Sequence, residues 1–421
     1  MRLSFALFIG FLIIASMSMG CAAGVPASTS KANWPMFRGP NPNGPAPDAG
    51  DPPVAIDRRK DVRFRVAAPA KGQSSPIIWG DRIYLSGEGN RIMAFERASG
   101  KLLWNTALAA PDGDAASEEG PEPGPDTGTA APTPVTDGQY VCASFGTGLI
   151  GCVGRDGRQV WARRLVPGRP GSEYGLASSP ALYGDRVIQV VDQGRDPEDK
   201  LSFVVALRIK DGKEAWKTTR PVSASWSSPL LARLPAGDTL ITTALPLVIA
   251  YDPRTGAERW RAEGLPDGDF AASPIVCGGL VIALPGDGGM PLAIRPGGKG
   301  NVTRTHVIEW AGDVSAPAVS SPATDGRRYF QIRGGALSAL SPASGKDIWS
   351  LDLEGDFWAS PVVAAGRIYA IDREGTIHVV STEGRKLAEC RLGEPVNASP
   401  AVLEGRIYVR TARGLLCIGK P

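Results

Sequence analysis

Few side chains in this sequence are equipped for covalent or metal chemistry, and their spacing narrows what they could do. Only two histidines occur, His306 and His378. That is too little material for a His-rich metal centre or a Ser-His-Asp triad. The six cysteines stand at positions 21, 142, 152, 277, 390 and 417, with no C-x-x-C-H for an attached haem. A nucleophilic thiol needs a base within reach, and none is suggested beside Cys277 or Cys390. Cys142 and Cys152 flank the turn Phe145-Gly146-Thr147-Gly148 and face each other if that turn closes a hairpin. Two outcomes then compete: restrictive bond geometry favours free thiols, whereas an oxidising compartment would allow a cross-strand disulfide. Asp192, Asp196, Glu198 and Asp199 carry the oxygen ligands that calcium takes. Lacking EF-hand spacing, they read instead as a solvated hairpin loop. No catalytic residue and no metal site is assigned.

The elements that would have to position such residues are short. Ser321 to Trp349 holds four strand-like runs divided by Asp325-Gly326, Gly334-Gly335 and Pro342-Ala343-Ser344-Gly345. Gly, Pro and Asp in these places are hairpin punctuation. A lone sheet of this size would leave both faces wet, so the unit needs neighbours. They are present: Ser/Thr-Pro starts recur at Pro76, Pro134, Pro180, Pro229, Pro274, Pro322, Pro361 and Pro400. Four strands in about 40–45 residues is the grammar of a propeller blade. The expected fold is all-β, an eight-bladed β-propeller of four-stranded antiparallel blades over residues 56–421.

Two columns hold the register. The third strand of each unit carries a small residue: Ala94, Cys152, Ala206, Ala250, Ala293, Ala339, Val379 and Cys417. The fourth places a tryptophan four residues after a turn glycine, giving Trp104, Trp161, Trp216, Trp260 and Trp349. Trp310 fits the column without the glycine, and Ala388 departs from it. These tryptophans are read as docking residues between blades, where truncation typically costs about 3–5 kcal/mol. The eighth unit reaches Pro421 without a fourth strand. Asp61 to Val66 resembles Asp347 to Asp352, and Phe64 lies twelve residues before Pro76, as Trp349 does before Pro361. The strand holding Phe64 is therefore expected to close the last blade and remove an exposed sheet edge.

Gly and Pro number 52 and 37, which suits a chain that turns every few residues without reaching a disordered composition. A net charge of +3 gives no electrostatic case for nucleic acid. Residues 1–20 read as a signal peptide: Arg2, then an apolar stretch ending Ser18-Met19-Gly20-Cys21. Small residues before Cys21 resemble a lipobox, which makes Cys21 the lipidation candidate. An ordinary secretory signal or an uncleaved anchor is the alternative. Either way the chain is exported, and Ala22 after the cysteine points to the outer membrane. Residues 21–55 read as a flexible tether, although Trp34 and Phe37 are too apolar for spacer and are expected to dock on the body. Insertions at 110–131, 167–176 and 194–200 read as surface loops.

The SSP…GDRIY…G-K-x-x-W grammar, running from about Trp34 to Gly419, resembles the repeats of pyrroloquinoline-quinone dehydrogenases and their non-catalytic relatives. Those relatives include the BamB-like lipoproteins of outer-membrane assembly, the branch this sequence is most similar to. The resemblance implies the propeller fold and leaves activity open, because such propellers host both enzymes and scaffolds. The enzymes of the family carry a calcium-bound quinone in the axial funnel and an adjacent Cys-Cys pair, and this sequence has no such pair. No cofactor is expected; pyrroloquinoline quinone with calcium belongs only to the alternative reading of a periplasmic oxidoreductase or small-ligand binder. The leading expectation is a non-enzymatic, periplasm-facing lipoprotein scaffold. It would be a monomer within a complex of envelope proteins, held at the membrane by its N-terminal lipid. What the repeat does not absorb is the entry to each innermost strand, at one rim of the channel. Gln73, Trp226, Trp358 and Asn397 stand three residues before their prolines, and Phe270 and Phe357 stand four before. These six form the candidate interaction rim, as either a binding face or a plug of the channel mouth.

Overall fold

The computed structural model describes residues 32–42, 44–110, 124, 127–166, 174–265, 268–286, 289–308, 310 and 319–420. The leader, Cys21, most of the first insertion and the start of the second lie outside the described residues. Ala32–Pro421 is one compact unit. Its strands form eight sheets, seven of four antiparallel strands and one, the fourth blade, with a fifth short strand added at its edge. The sixth blade shows the pattern: Ala323–Thr324, Tyr329–Arg333, Ala336–Leu340 and Asp347–Asp352. Its middle strands are buried, whereas the outermost alternates between exposed and half-buried positions. That alternation is what a strand with one face on a neighbouring sheet requires.

The ring is closed as the sequence predicts. Val62–Ala67 pairs antiparallel with Gly414–Gly419, so the first strand of the chain is the fourth strand of the eighth blade. Two further contacts hold this seam. Arg65 bonds Glu394 and the Leu392 carbonyl, and the buried Arg410 donates to Ser74 Oγ at 2.6 Å and to the Ala70 carbonyl at 3.2 Å. Burial brings the Arg410 guanidinium down to about 9, with the Glu88 carboxylate opposing the shift.

The glycine and tryptophan columns turn out to be two halves of one contact made across blades. The turn glycine of each blade receives the fourth-strand aromatic of the blade before it: Phe64 on Gly100, Trp104 on Gly157, Trp161 on Gly212, Trp216 on Gly256, Trp310 on Gly345 and Trp349 on Gly384. Each of these glycines has positive φ and no room for a Cβ beside the ring. The indole N–H completes the joint, as in Trp161 Nε1 to the Ile209 carbonyl at 2.7 Å and Trp104 Nε1 to the Arg155 carbonyl at 3.0 Å. The small third-strand column lies directly opposite the aromatics in register, as in Ala94 with Trp104, Ala206 with Trp216 and Cys417 with Phe64. It is small because the ring needs the space.

Two departures from the column now have reasons. Ala388 replaces tryptophan in the seventh blade because the eighth blade, closed by the N-terminal strand, has no third-to-fourth-strand turn to receive one. Val54, Ile56, Val62, Ala388 and Cys390 all pack, partly buried, against one core cluster there. Trp260 meets a longer connection in the fifth blade. There Gly300–Asn301 adds a fifth strand parallel to Glu258–Glu263, pairing Gly300 with Trp260. This insertion had no signal beyond its length. Six of the fourth-strand pairings, and the closing strand too, carry a bulge just before the aromatic. The extra residue, Leu103, Val160, Ile348 or Leu387 among others, is turned outward and exposed. Bulges on edge strands oppose edge-to-edge association.

Cys142 and Cys152 are directly opposed in their hairpin and joined by a disulfide, so the expectation of free thiols does not hold at this pair. The acidic set is also redistributed. Asp192 is buried in an ion pair with Arg220, which also donates to Thr242 Oγ1 at 2.9 Å. Asp196, in contrast, caps a short 3-10 turn at Pro197–Asp199 on the surface.

The inter-blade joint generates a prediction. Gly212 has φ +67, and a Cβ there would lie 2.5 Å from the Trp161 ring. Gly212→Ala should destabilise the fold by about 2–4 kcal/mol through overpacking and backbone strain. Gly184→Ala, with φ +57 and nothing within 4 Å, should cost only about 1–2 kcal/mol. Denaturant unfolding of the two variants checks the difference.

Candidate functional site

Each blade begins with Ser or Thr before its proline, and the structure shows what that residue does. Its backbone N–H donates to the side-chain hydroxyl of the corresponding residue in the next blade: Ser75 to Thr133, Thr133 to Ser179, Ser179 to Ser228, and Ser228 to Ser273. The series continues from Ser273 to Ser321, Ser321 to Ser360, Ser360 to Ser399, and Ser399 back to Ser75. Eight bonds of 2.9 to 3.2 Å make a closed circle around the axis. The hydroxyl column was legible in the sequence as punctuation, but not as a ring.

One turn of the pleat above this circle, the residues three before each proline point inward. All eight of them line a single axial cavity of about 450 Å3, with the hydroxyl circle beneath. Gln73, Trp226, Trp358 and Asn397 are thus brought together, each half-buried. Phe270 and Phe357, placed on the same rim by the sequence reading, are not part of it. They are buried at 0 % and 7 % exposure in the packing between blades. The reason is the two-residue period of an extended chain: positions three before the proline face the axis, and positions four before face the neighbouring sheet. Tyr174, Thr127 and Asp269 also line the cup and escaped notice because they lie on non-repeating loops.

The two tryptophan walls are held by neighbouring side chains. Trp226 meets the Tyr174 ring edge-on at 4.9 Å between centres, and its backbone N–H donates to the Phe270 carbonyl at 2.8 Å. Arg373 lies 3.9 Å from the centre of the Trp358 ring and is fixed by Asp356 at 2.9 Å. A cavity remains between these walls, so the tryptophans do not plug the mouth.

The other end of the channel is crossed by residues 34–50, expected to be tether except for Trp34 and Phe37. Trp34, 2 % exposed, exchanges two backbone bonds of 2.8 Å with Ile78 of the first blade. Pro35 accepts from Thr136 of the second, and Arg38 donates to the Pro274 and Pro322 carbonyls of the fifth and sixth. Ala46 bonds Val363 of the seventh, and Asp48 and Ala49 bond Glu404 and Gly405 of the eighth. The segment lies down because its backbone groups find partners on successive blades as it crosses. Burial lowers the Arg38 guanidinium to about 10. Phe37 projects from this strap into the axis and lines both the cup and a small cavity below it.

The two histidines lie apart from the cup. His378 is buried with Nε2 at 3.3 Å from Asp372 inside the seventh blade, while His306 ends a short helical turn in the fifth. Among the described residues no group of three or more His, Cys, Asp or Glu could hold a metal ion. A quinone bearing three carboxylates, with its calcium, would need cationic partners and a cluster of oxygen ligands. The described lining offers one carboxylate, Asp269, and no Lys or Arg. These residues do not fit that group.

A family model described as outer membrane protein assembly factor BamB matches residues 50–195, 200–294 and 333–418. The BamB of Burkholderia pseudomallei is 21% identical over 371 residues, covering 81% of this chain and 82% of its own. Among solved structures, BamB from Moraxella catarrhalis superposes with a TM-score of 0.56 at 15% identity, covering 87% of this chain and 96% of that one. A europium-containing methanol dehydrogenase gives 0.63 at 13% identity, covering 90% and 89%. A factor and an enzyme share the fold, so the fold does not choose between them.

If the cup walls serve binding and not folding, Trp226→Ala and Trp358→Ala should each shift the melting temperature by no more than about 2 °C. Trp161→Ala in the inter-blade joint should lower it by about 8 °C or more. Calorimetry of the three variants separates the two roles.

Proposed function

The chain belongs to the family of the outer membrane protein assembly factor BamB, and on that premise we propose that it is a non-enzymatic scaffold for envelope proteins during outer-membrane protein assembly. The observation that carries this reading is the cup. Two half-buried tryptophans on a rigid, closed ring present apolar surface at a place where blade packing does not consume it. Large aromatic groups exposed in a preformed recess are the usual anchors of protein association. The rim residues are Gln73, Trp226, Trp358 and Asn397, with Phe270 and Phe357 supporting from the layer behind.

In this reading the leader exports the chain and a lipid on Cys21 holds it at the periplasmic face of the outer membrane, as a monomer within a larger complex. The cup would then be the face offered to partners. In this reading membrane attachment comes through the lipid, and no described helix is long and apolar enough to cross a membrane. The near-neutral net charge of +3 supplies no field for nucleic acid.

Affinity capture from detergent-solubilised envelope tests the proposal. Outer-membrane barrel proteins or their assembly machinery should be recovered with the native chain. With Cys21→Ser, metabolic lipid labelling should disappear. Recovery of hydrolases or redox proteins alone would contradict the reading. So would tight binding of pyrroloquinoline quinone with calcium accompanied by dye-coupled oxidation of alcohols or sugars.

A further inference from the structure

We propose that a second cavity, between the fourth blade and the long connection of the fifth, binds a carboxylate carried on a short apolar body. The inference is independent of the cup and of the scaffold reading.

The cavity, of about 360 Å3, lies beside the place where the repeat is broken. At six joints between blades the fourth-strand aromatic rests on a turn glycine of the next blade, with no room for a Cβ. Beside Trp260 that turn is replaced by the longer segment 295–302. A Cβ on Gly300, opposite Trp260 in register, would meet nothing within 4 Å. Three elements supply most of the lining. They are Pro296 to Lys299 of that segment, Leu234 to Ala236 at the tip of a fourth-blade hairpin, and Glu258, Arg259 and Trp260 of its outer strand. None of them belongs to the axial column.

The charged groups of this lining are not equally engaged. Glu258 accepts two bonds of 2.6 Å from Arg261, one on each oxygen. Arg259 is held by Thr239 Oγ1 at 2.8 Å and by Asp252 at 3.0 Å, a carboxylate it shares with Arg254. Lys299 is exposed, and its ammonium has no partner among the described residues. The backbone N–H groups of Gly297, Gly298 and Lys299 likewise meet no acceptor among them. Successive N–H groups of a turn are a common setting for an anion, and a bond from an ammonium is strengthened by charge on both sides.

The balance selects the ligand. One unengaged cation suits a single negative charge, whereas a phosphate dianion would call for a second. A free amino acid would bring an ammonium, and the only carboxylate in the lining is already bonded to Arg261. The remaining surface comes from Leu234, Pro235, Ala236, Pro296 and the nearly buried Trp260. A small, mainly apolar recess with a few polar groups at one side orients a ligand by its charged end. Two sources offer that chemistry, a free branched-chain acid and the C-terminal residue of a peptide.

Isothermal titration of the full chain at low ionic strength, with N-acetyl-L-leucine, N-acetyl-L-leucinamide and inorganic phosphate, tests the site. The acid should bind about tenfold or more tightly than the amide. Lys299→Gln should weaken the acid by about tenfold or more and remove most of its salt dependence. Lys346→Gln, at the exposed turn lysine of the sixth blade, should leave binding unchanged. Ala236→Phe, at an exposed position of the lining, should abolish binding while the melting temperature is kept. Isocaproate and N-acetyl-glycyl-L-leucine then separate the sources. Binding of isocaproate alone supports a site for free acids, and binding of the dipeptide at least as tightly supports a site for chain ends. Equal binding of acid and amide, preference for phosphate, no binding of the acids, or binding that survives Lys299→Gln would overturn the inference.

Discussion

Closure of the ring is the constraint on which everything else in this protein depends. Eight Ser/Thr hydroxyls each accept a backbone N–H from the blade before, and the circle is complete only when Ser399 reaches Ser75. The same closure places Phe64 on Gly100 and lets the first strand finish the last sheet. An open arc would leave a donor at one end, an acceptor at the other and an unpaired strand edge. Each blade alone has too little interior to be stable, so stability comes from its two neighbours and must be shared around the whole ring. The buried Arg410, satisfied by Ser74 and carbonyl oxygens across the seam, shows how far the sequence goes to hold that junction.

A closed ring also decides where binding can occur. The joints between blades are filled by aromatic rings on glycines and tolerate no additional atoms. The outer strands are bulged and turned away. At the axis, in contrast, eight equivalent positions converge and need not be identical. Packing demands little of them: alanine suffices at Ala131, Ala177 and Ala271. Tryptophan at 226 and 358 is therefore a departure that the fold does not require. The strap crosses the other end of the channel, bonded to successive blades.

Much of this was legible in the sequence because repetition is visible without a structure. The Ser-Pro period set the number of blades, and the resemblance of Asp61–Val66 to Asp347–Asp352 located the closing strand. The inward column of Gln73, Trp226, Trp358 and Asn397 was also found from its fixed distance to proline. Phe270 and Phe357 were misplaced beside it because a one-residue step along a strand reverses the direction of the side chain. The tryptophans were legible as docking between blades, but the glycine that receives each one looked like part of its own blade's motif. Non-repeating parts were the hardest. Tyr174 and Asp269 lie on loops without a period, and the Pro- and Gly-rich strap resembles a linker because the bonds that hold it to the blades are made to distant parts of the chain.

The central claim is that partners engage the axial cup and not the blade edges. Site-specific photo-crosslinking in intact envelope measures this directly, with a photoreactive residue placed at position 226 or 358 in the cup, or at 160 or 348 on the outer strands. The account predicts discrete protein adducts from the two cup positions and none from the edge. Adducts from the edge positions alone would contradict it.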